Sequence, residues 1–241
     1  MIKTSLGEYT VHLNGSENGY LKTVYLGNKQ AGFHLINNPL SRQLCALQSM
    51  CHELTELYED LLYTYTEWMN SKKESHPYVN AYERTKPLHR LLRNLYISAL
   101  IGYAKCFTRS DQGRKYRLQE KQIKKHYSKE ELTTHRDILR LRNAWVAHGG
   151  ASENEDAHVL LIQNPENNHL FLTVGVNIKH LPDSASLEKI KDATLKLLQL
   201  CIMLRNEKYE ELDKMIEAQP AVLIKGDLQY ELHVNSVPTG D

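Results

Sequence analysis

The chain of 241 residues is defined first by what it does not contain. It has no run of about 18 apolar residues that would span a bilayer, and Met1 to Leu6 lacks the apolar core of a signal peptide. No P-loop, G-x-S-x-G or H-E-x-x-H motif occurs, so three common routes to phosphate binding, serine nucleophiles and zinc hydrolysis have no sequence support. The four cysteines, Cys45, Cys51, Cys106 and Cys201, form no C-x-x-C pair. Their apolar helical settings predict reduced, buried thiols in a cytoplasmic protein, with no metal site and no cofactor. A formal charge of +1 gives no global pull toward nucleic acid. Any such attraction must come from a local patch.

What is present is an ordinary globular composition, 41% hydrophobic and 24% charged, long enough to bury a full core. The patterning predicts a mainly α fold with β-hairpin additions. Residues 1–36 alternate as strands: Tyr9, Val11 and Leu13 point one way, 15–19 turn, 20–26 return, and 27–32 break the pattern. A helical domain over 38–219 follows, carrying a β-hairpin insertion at 157–177, and 220–241 reads as a C-terminal strand or tail.

Within that domain, Asn38 and Pro39 read as the cap and first residue of a long helix. Leu44, Leu47, Cys51, Leu54, Tyr58, Leu61, Tyr65 and Trp68 form its packing seam. Its Tyr and Trp residues suit a core better than a base-stacking surface. A second helix starts near Asn80 or Thr85 and runs to about Arg109. Its broad apolar band, including Leu91, predicts a central place in a bundle, and Ser98, Ala99, Gly102 and Ala104 allow close helix approach. The last long helix begins at 183–186, runs along Leu187, Ile190, Thr194, Leu197, Cys201 and Leu204, and is stopped by Pro220.

The stretch with chemistry is 128–150. Ser128 and Glu131 make an S-x-x-E capping box, and Gly149-Gly150 supplies the exit. Leu132, Leu139, Asn143 and Val146 fall along one side of the helix between them, and Ile138, Leu141, Trp145 and His148 along the next. Arg142, Asn143 and His148 therefore stand in an apolar setting, where each polar group would need a partner or a ligand. Just before it, 105–125 carries eight positive charges against Asp111 and Glu120. Arg109, Arg114, Lys115, Arg117, Lys121, Lys124 and Lys125 are candidates for an RNA-attracting surface, with solvated helix charges as the plainer alternative.

Arg142 followed by a polar residue, then a His after five intervening positions, resembles the signature of the HEPN superfamily. Arg84 and His89 share the spacing, but Pro87 lies between them, where a helix starts. The resemblance covers roughly 38–218. It implies a HEPN-like helical bundle that dimerises and cleaves RNA without a metal, leaving 2′,3′-cyclic phosphate and 5′-hydroxyl ends. It implies Arg142, Asn143 and His148 as catalytic residues. The family further implies a toxin or abortive-infection effector in antiviral defence, with a cognate antitoxin or defence-system protein as partner. His148 suits proton transfer and Arg142 suits phosphate charge. Six residues on one helix rise about 9 Å and separate two side chains by roughly 120°, which favours a homodimer pooling two copies in one cleft. The alternatives are that His148 caps a helix end while Arg142 pairs with a carboxylate, or that the domain is a non-catalytic module binding nucleic acid or a partner protein.

Overall fold

A computed structural model of the chain describes residues 2–4, 7–16, 19–71, 87–108, 116–143, 155–163, 165, 170–178, 184–218, 229 and 231–235. It is mainly helical, and it divides into two units, Met1–Ser41 with Tyr209–Asp241, and Arg42–Lys208.

In the first unit, β1 (Ile2–Thr4), β2 (Gly7–Ser16), β3 (Gly19–Leu26), β4 (Lys29–Ala31) and β7 (Glu231–Asn235) form one antiparallel sheet. The expected hairpin is β2–β3, with Tyr9 opposite Leu26 and Ser16 opposite Gly19. The segment 27–32 does not simply break the pattern. Leu26 pairs with Lys29 across a two-residue turn in which Gly27 has φ +59°, a conformation that costs glycine nothing. β4 pairs with Val24–Leu26 of β3, and β7 with Gly19–Thr23, so the two share one edge of β3 end to end. A bridge from Phe33 to Gln229 continues that pairing. The C-terminal strand is thus a member of the N-terminal sheet and not a separate tail.

In the second unit, α1 (Pro39–Ser71, entering from the first), α2 (Pro87–Lys105), α3 (Glu120–His126), α4 (Lys129–Leu141) and α5 (Ser184–Ala218, leaving to the first) carry the helical part. At the start of α1 the Asn38 carboxamide accepts the Ser41 N–H at 2.7 Å, while the Ser41 hydroxyl accepts the Asn38 N–H at 3.0 Å. This reciprocal cap is why the helix begins at the proline. One cluster of buried side chains draws on all five helices, with Leu47 and Leu54 from α1, Leu92 and Leu100 from α2, Ile123 from α3, Ile138 from α4 and Leu197 from α5. The seam expected for α5 is buried at every position from Leu187 to Leu204.

Three expectations change. α2 buries a narrower arc than its composition suggests: Tyr96, Ala99, Leu100 and Tyr103 are buried, whereas Leu91 is 59% exposed. It lies roughly 100° around the helix from Leu92 and falls outside the contact arc. α2 ends at Lys105, short of the expected Arg109, with 106–108 already out of the helix, while the expected start near Asn80 or Thr85 lies outside the described residues. Cys45 is exposed while the other three thiols are buried. It sits about 160° around α1 from Leu47, and so faces away from the seam. The close approach expected at Gly102 is present, since a Cβ there would meet Leu57 of α1 at 3.0 Å.

After α4, β5 (Glu155–Gln163) and β6 (Leu170–Ile178) pair antiparallel as a two-stranded hairpin, as the strand alternation predicts. No helix among the described residues is long and apolar enough to cross a membrane.

Candidate nucleic-acid interface at the end of α4

The start of α4 is fixed locally. Glu131 accepts the Ser128 N–H at 2.6 Å, and the Ser128 hydroxyl accepts the Glu131 N–H at 3.2 Å. The same carboxylate pairs with Lys196 of α5 at 3.0 Å. The Ser128 N–H, with help from Lys196, holds the Glu131 carboxyl below the ordinary carboxylate range.

One turn on, α4 buries His135, a residue the sequence reading passed over. Its Nδ1 shares a hydrogen bond of 3.0 Å with the Tyr103 hydroxyl of α2. Phe107 meets the imidazole edge-on at 4.7 Å between ring centres, and Tyr127 does so at 6.3 Å. Burial pushes the imidazole pKa down, with Glu120 partly opposing it, and burial pushes both tyrosine hydroxyls up. All three groups are therefore neutral near pH 7. A signal for His135 existed: it stands three residues after Leu132 and four before Leu139, on the packing spacing of α4.

Two turns beyond His135 on the same face comes Arg142, where α4 opens into a π-helical turn at Arg142 and Asn143. Such turns recur at functional sites because they widen the helix and re-aim side chains. Arg142 Nη1 donates to Asn143 Oδ1 at 3.0 Å. The expected apolar burial is not found for these two residues: Arg142 is half-buried and Asn143 exposed, because Asn143 continues the outward face of the helix. His148 lies outside the described residues, as do Trp145 and Val146, so the structure places two of the three motif residues side by side and does not speak of the third.

Of the expected basic patch, Arg117, Lys121, Lys124 and Lys125 are exposed, and Arg109, Arg114 and Lys115 lie outside the described residues. Glu120 pairs with Lys124 at 2.9 Å and with Arg136 at 3.7 Å, tying α3 to α4. Lys121 and Lys125 have no ion-pair partner among the described residues. A cleft of about 200 Å³ opens between the start of α4 and α5, lined by Tyr127, Glu130, Glu131, Lys189, Asp192 and Lys196. Its charges are mixed, three carboxylates against two lysines with Glu131 paired to Lys196, which gives it no preference for an anion. Among the described residues no group of three or more His, Cys, Asp or Glu side chains is arranged to hold a metal ion.

Chemically, then, the described end of α4 presents a guanidinium with a neutral partner, two residues after the exposed Arg140, an arrangement suited to a phosphodiester. Set against protein-family models, curated proteins and solved structures, the chain matches none of them.

Proposed function

We propose that the chain is an endoribonuclease of the HEPN type, in which Arg142, Asn143 and His148 cleave RNA without a metal. The observation that supports this reading is the pairing of Arg142 with the neutral Asn143 carboxamide, with no carboxylate paired to it among the described residues. A guanidinium oriented in that way keeps its whole positive charge for a ligand, and its remaining donors match the non-bridging oxygens of a phosphate.

The reaction needs a base for the 2′-hydroxyl, an acid for the leaving 5′-oxygen and positive donors for the phosphorane. His148 is the proton-transfer group of this proposal, since imidazole titrates near neutrality. The 2′-oxygen attacks phosphorus as its proton leaves to the base, the bond from phosphorus to the 5′-oxygen breaks, and that oxygen takes a proton. The products are a 2′,3′-cyclic phosphate and a 5′-hydroxyl. Asn143 holds Arg142 through its oxygen, leaving its amide hydrogens for the ribose. A two-fold pair of chains supplies two such sets to one cleft, in a HEPN-like bundle. In its host the enzyme would serve as a toxin or abortive-infection effector in the cytoplasm, restrained by an antitoxin or another defence protein.

The rival reading is a non-catalytic helical module that binds a partner protein. It is favoured by one feature, the exposure of Leu161, Leu170 and Leu172 together on one face of the β5–β6 hairpin. Labelled RNA incubated in EDTA with the wild type, Arg142→Ala and His148→Ala separates the two. Cleavage to a cyclic phosphate that is lost in both variants is the nuclease result, and intact RNA with the wild type at every pH tried would sink it.

A further inference from the structure

α4 has two working faces. His135, Ile138 and Arg142 lie on the inward side, and on the outward side Lys129, Arg136, Arg140 and Asn143 fall within an arc of roughly 60° at 100° per residue. All four outward residues are exposed. They form a straight ridge of about 21 Å that ends on the residue holding Arg142. We propose that this ridge is the track along which the phosphodiester backbone of a single RNA strand lies as it reaches Arg142. The inference rests on the nuclease reading only for what happens at the end of the track.

Both arginines are weakly engaged. Arg136 is 3.7 Å from Glu120, and Arg140 is 3.7 Å from Asp137. Their side chains are 61% and 71% exposed. Ion pairs that long and that wet contribute little, so exchanging a carboxylate for a phosphate costs little. Glu120 is also held by Lys124 at 2.9 Å and stays ionised under that lysine's influence, so it cannot neutralise both cations. Through this shared carboxylate the ridge adjoins the α3 lysines, extending the positive surface sideways.

The ridge carries no aromatic side chain: the exposed residues between Lys129 and Asn143 are Lys129, Glu130, Thr133, Arg136, Asp137, Arg140 and Asn143. Binding without stacking platforms reads the backbone and not the bases, so the track is indifferent to sequence. A linkage presented this way must also be flexible enough for its 2′-oxygen to align with the scissile bond, which a single strand allows and a regular duplex resists.

The test is fluorescence anisotropy with a labelled 2′-O-methyl oligouridylate, which cannot be cleaved at its blocked 2′-oxygens, titrated across a series of salt concentrations in EDTA. Each phosphate contact contributes about 0.7 to the slope of log K against log salt for a single strand. Arg136→Gln and Arg140→Gln are each expected to lower that slope by about 0.7 and to weaken Kd several-fold, with oligoadenylate behaving alike. Lys214→Gln, an exposed charge elsewhere on α5, leaves both values unchanged; circular dichroism checks that all variants fold. Wild-type slopes in both arginine variants, tighter binding of an equal-length duplex, or no binding by the wild type overturns the track. If the wild type binds through the ridge but leaves unmodified RNA whole, the nuclease reading falls and the track stands. If Arg136→Gln/Arg140→Gln cleaves RNA as the wild type does, the reverse holds.

Discussion

The Tyr103 hydroxyl and His135 Nδ1 meet at 3.0 Å in the interior, joining α2 to the helix that carries the candidate site. Both residues are at least nine-tenths buried, at 0% and 5% exposure, so neither group can turn to water if its partner is removed. The bond therefore acts on the position of α4 and, two turns later, on Arg142.

Removing one partner is expected to cost more than removing both. Tyr103→Phe leaves the imidazole nitrogen without its buried partner and should destabilise the fold by about 1–3 kcal/mol. The double variant Tyr103→Phe/His135→Phe should lose less than the sum of the single changes. A double-mutant cycle by urea unfolding measures the difference, and additive losses would show that the bond carries no coupling.

Acidification should weaken the fold through His135. Its folded pKa lies below the ordinary imidazole value. Below about pH 6.5 the unfolded chain takes up a proton here that the folded chain refuses, so stability falls as pH drops toward the folded pKa and is level above. One such proton gives a slope of at most about 1.4 kcal/mol per pH unit. Glu120 and Glu131 have lowered folded values, so their contributions are present above the ordinary carboxylate range and are lost only at lower pH. Unfolding midpoints between about pH 7.5 and 5 should fall in the wild type and fall less in His135→Gln.

At the other end of α4, Glu131 serves the capping box and the pair with Lys196 together. Glu131→Ala should cost about 1 kcal/mol, and Glu131→Gln less, because the amide oxygen still accepts the Ser128 N–H. Thermal unfolding of the two variants at neutral pH gives the order; equal losses would assign the effect to the Lys196 pair instead.

Asn143→Asp reverses the logic of the site. A carboxylate beside Arg142 would form a surface ion pair, leaving stability unchanged within about 1 kcal/mol. It would also spend the guanidinium charge on the protein. RNA cleavage is expected to fall at least about tenfold, a barrier increase of about 1.4 kcal/mol. Cleavage retained at wild-type rate would remove Arg142 from phosphate recognition.

Much of the fold is legible along the chain because its signals are local. The spacing from Leu187 to Leu204 is the buried face of α5, the S-x-x-E at 128–131 is the cap of α4, and Asn38-Pro39 opens α1. Arg142 and Asn143 are found by motif, and their mutual contact follows from their adjacency in the chain. His135 escapes that reading because a single imidazole on an apolar face looks polar until its partner is known, and Tyr103 stands 32 residues away. Leu91 and Cys45 were misplaced for the converse reason: helix composition indicates which residues are apolar, while the width of the buried arc depends on how many neighbours a helix has.

The sequence by itself determined where α1, α4 and α5 begin and which face of α5 is buried, since caps and side-chain periodicity act within a few residues. It also placed Arg142 and Asn143 on the helix that follows a run of cations. Only the tertiary structure decided that β7 completes the edge of β3, that Tyr103 clasps His135, and that Asn143 faces outward on the same ridge as Arg136 and Arg140. Those outcomes depend on groups far apart in the chain competing for the same buried space or the same unpaired edge, and no local pattern records which of them wins.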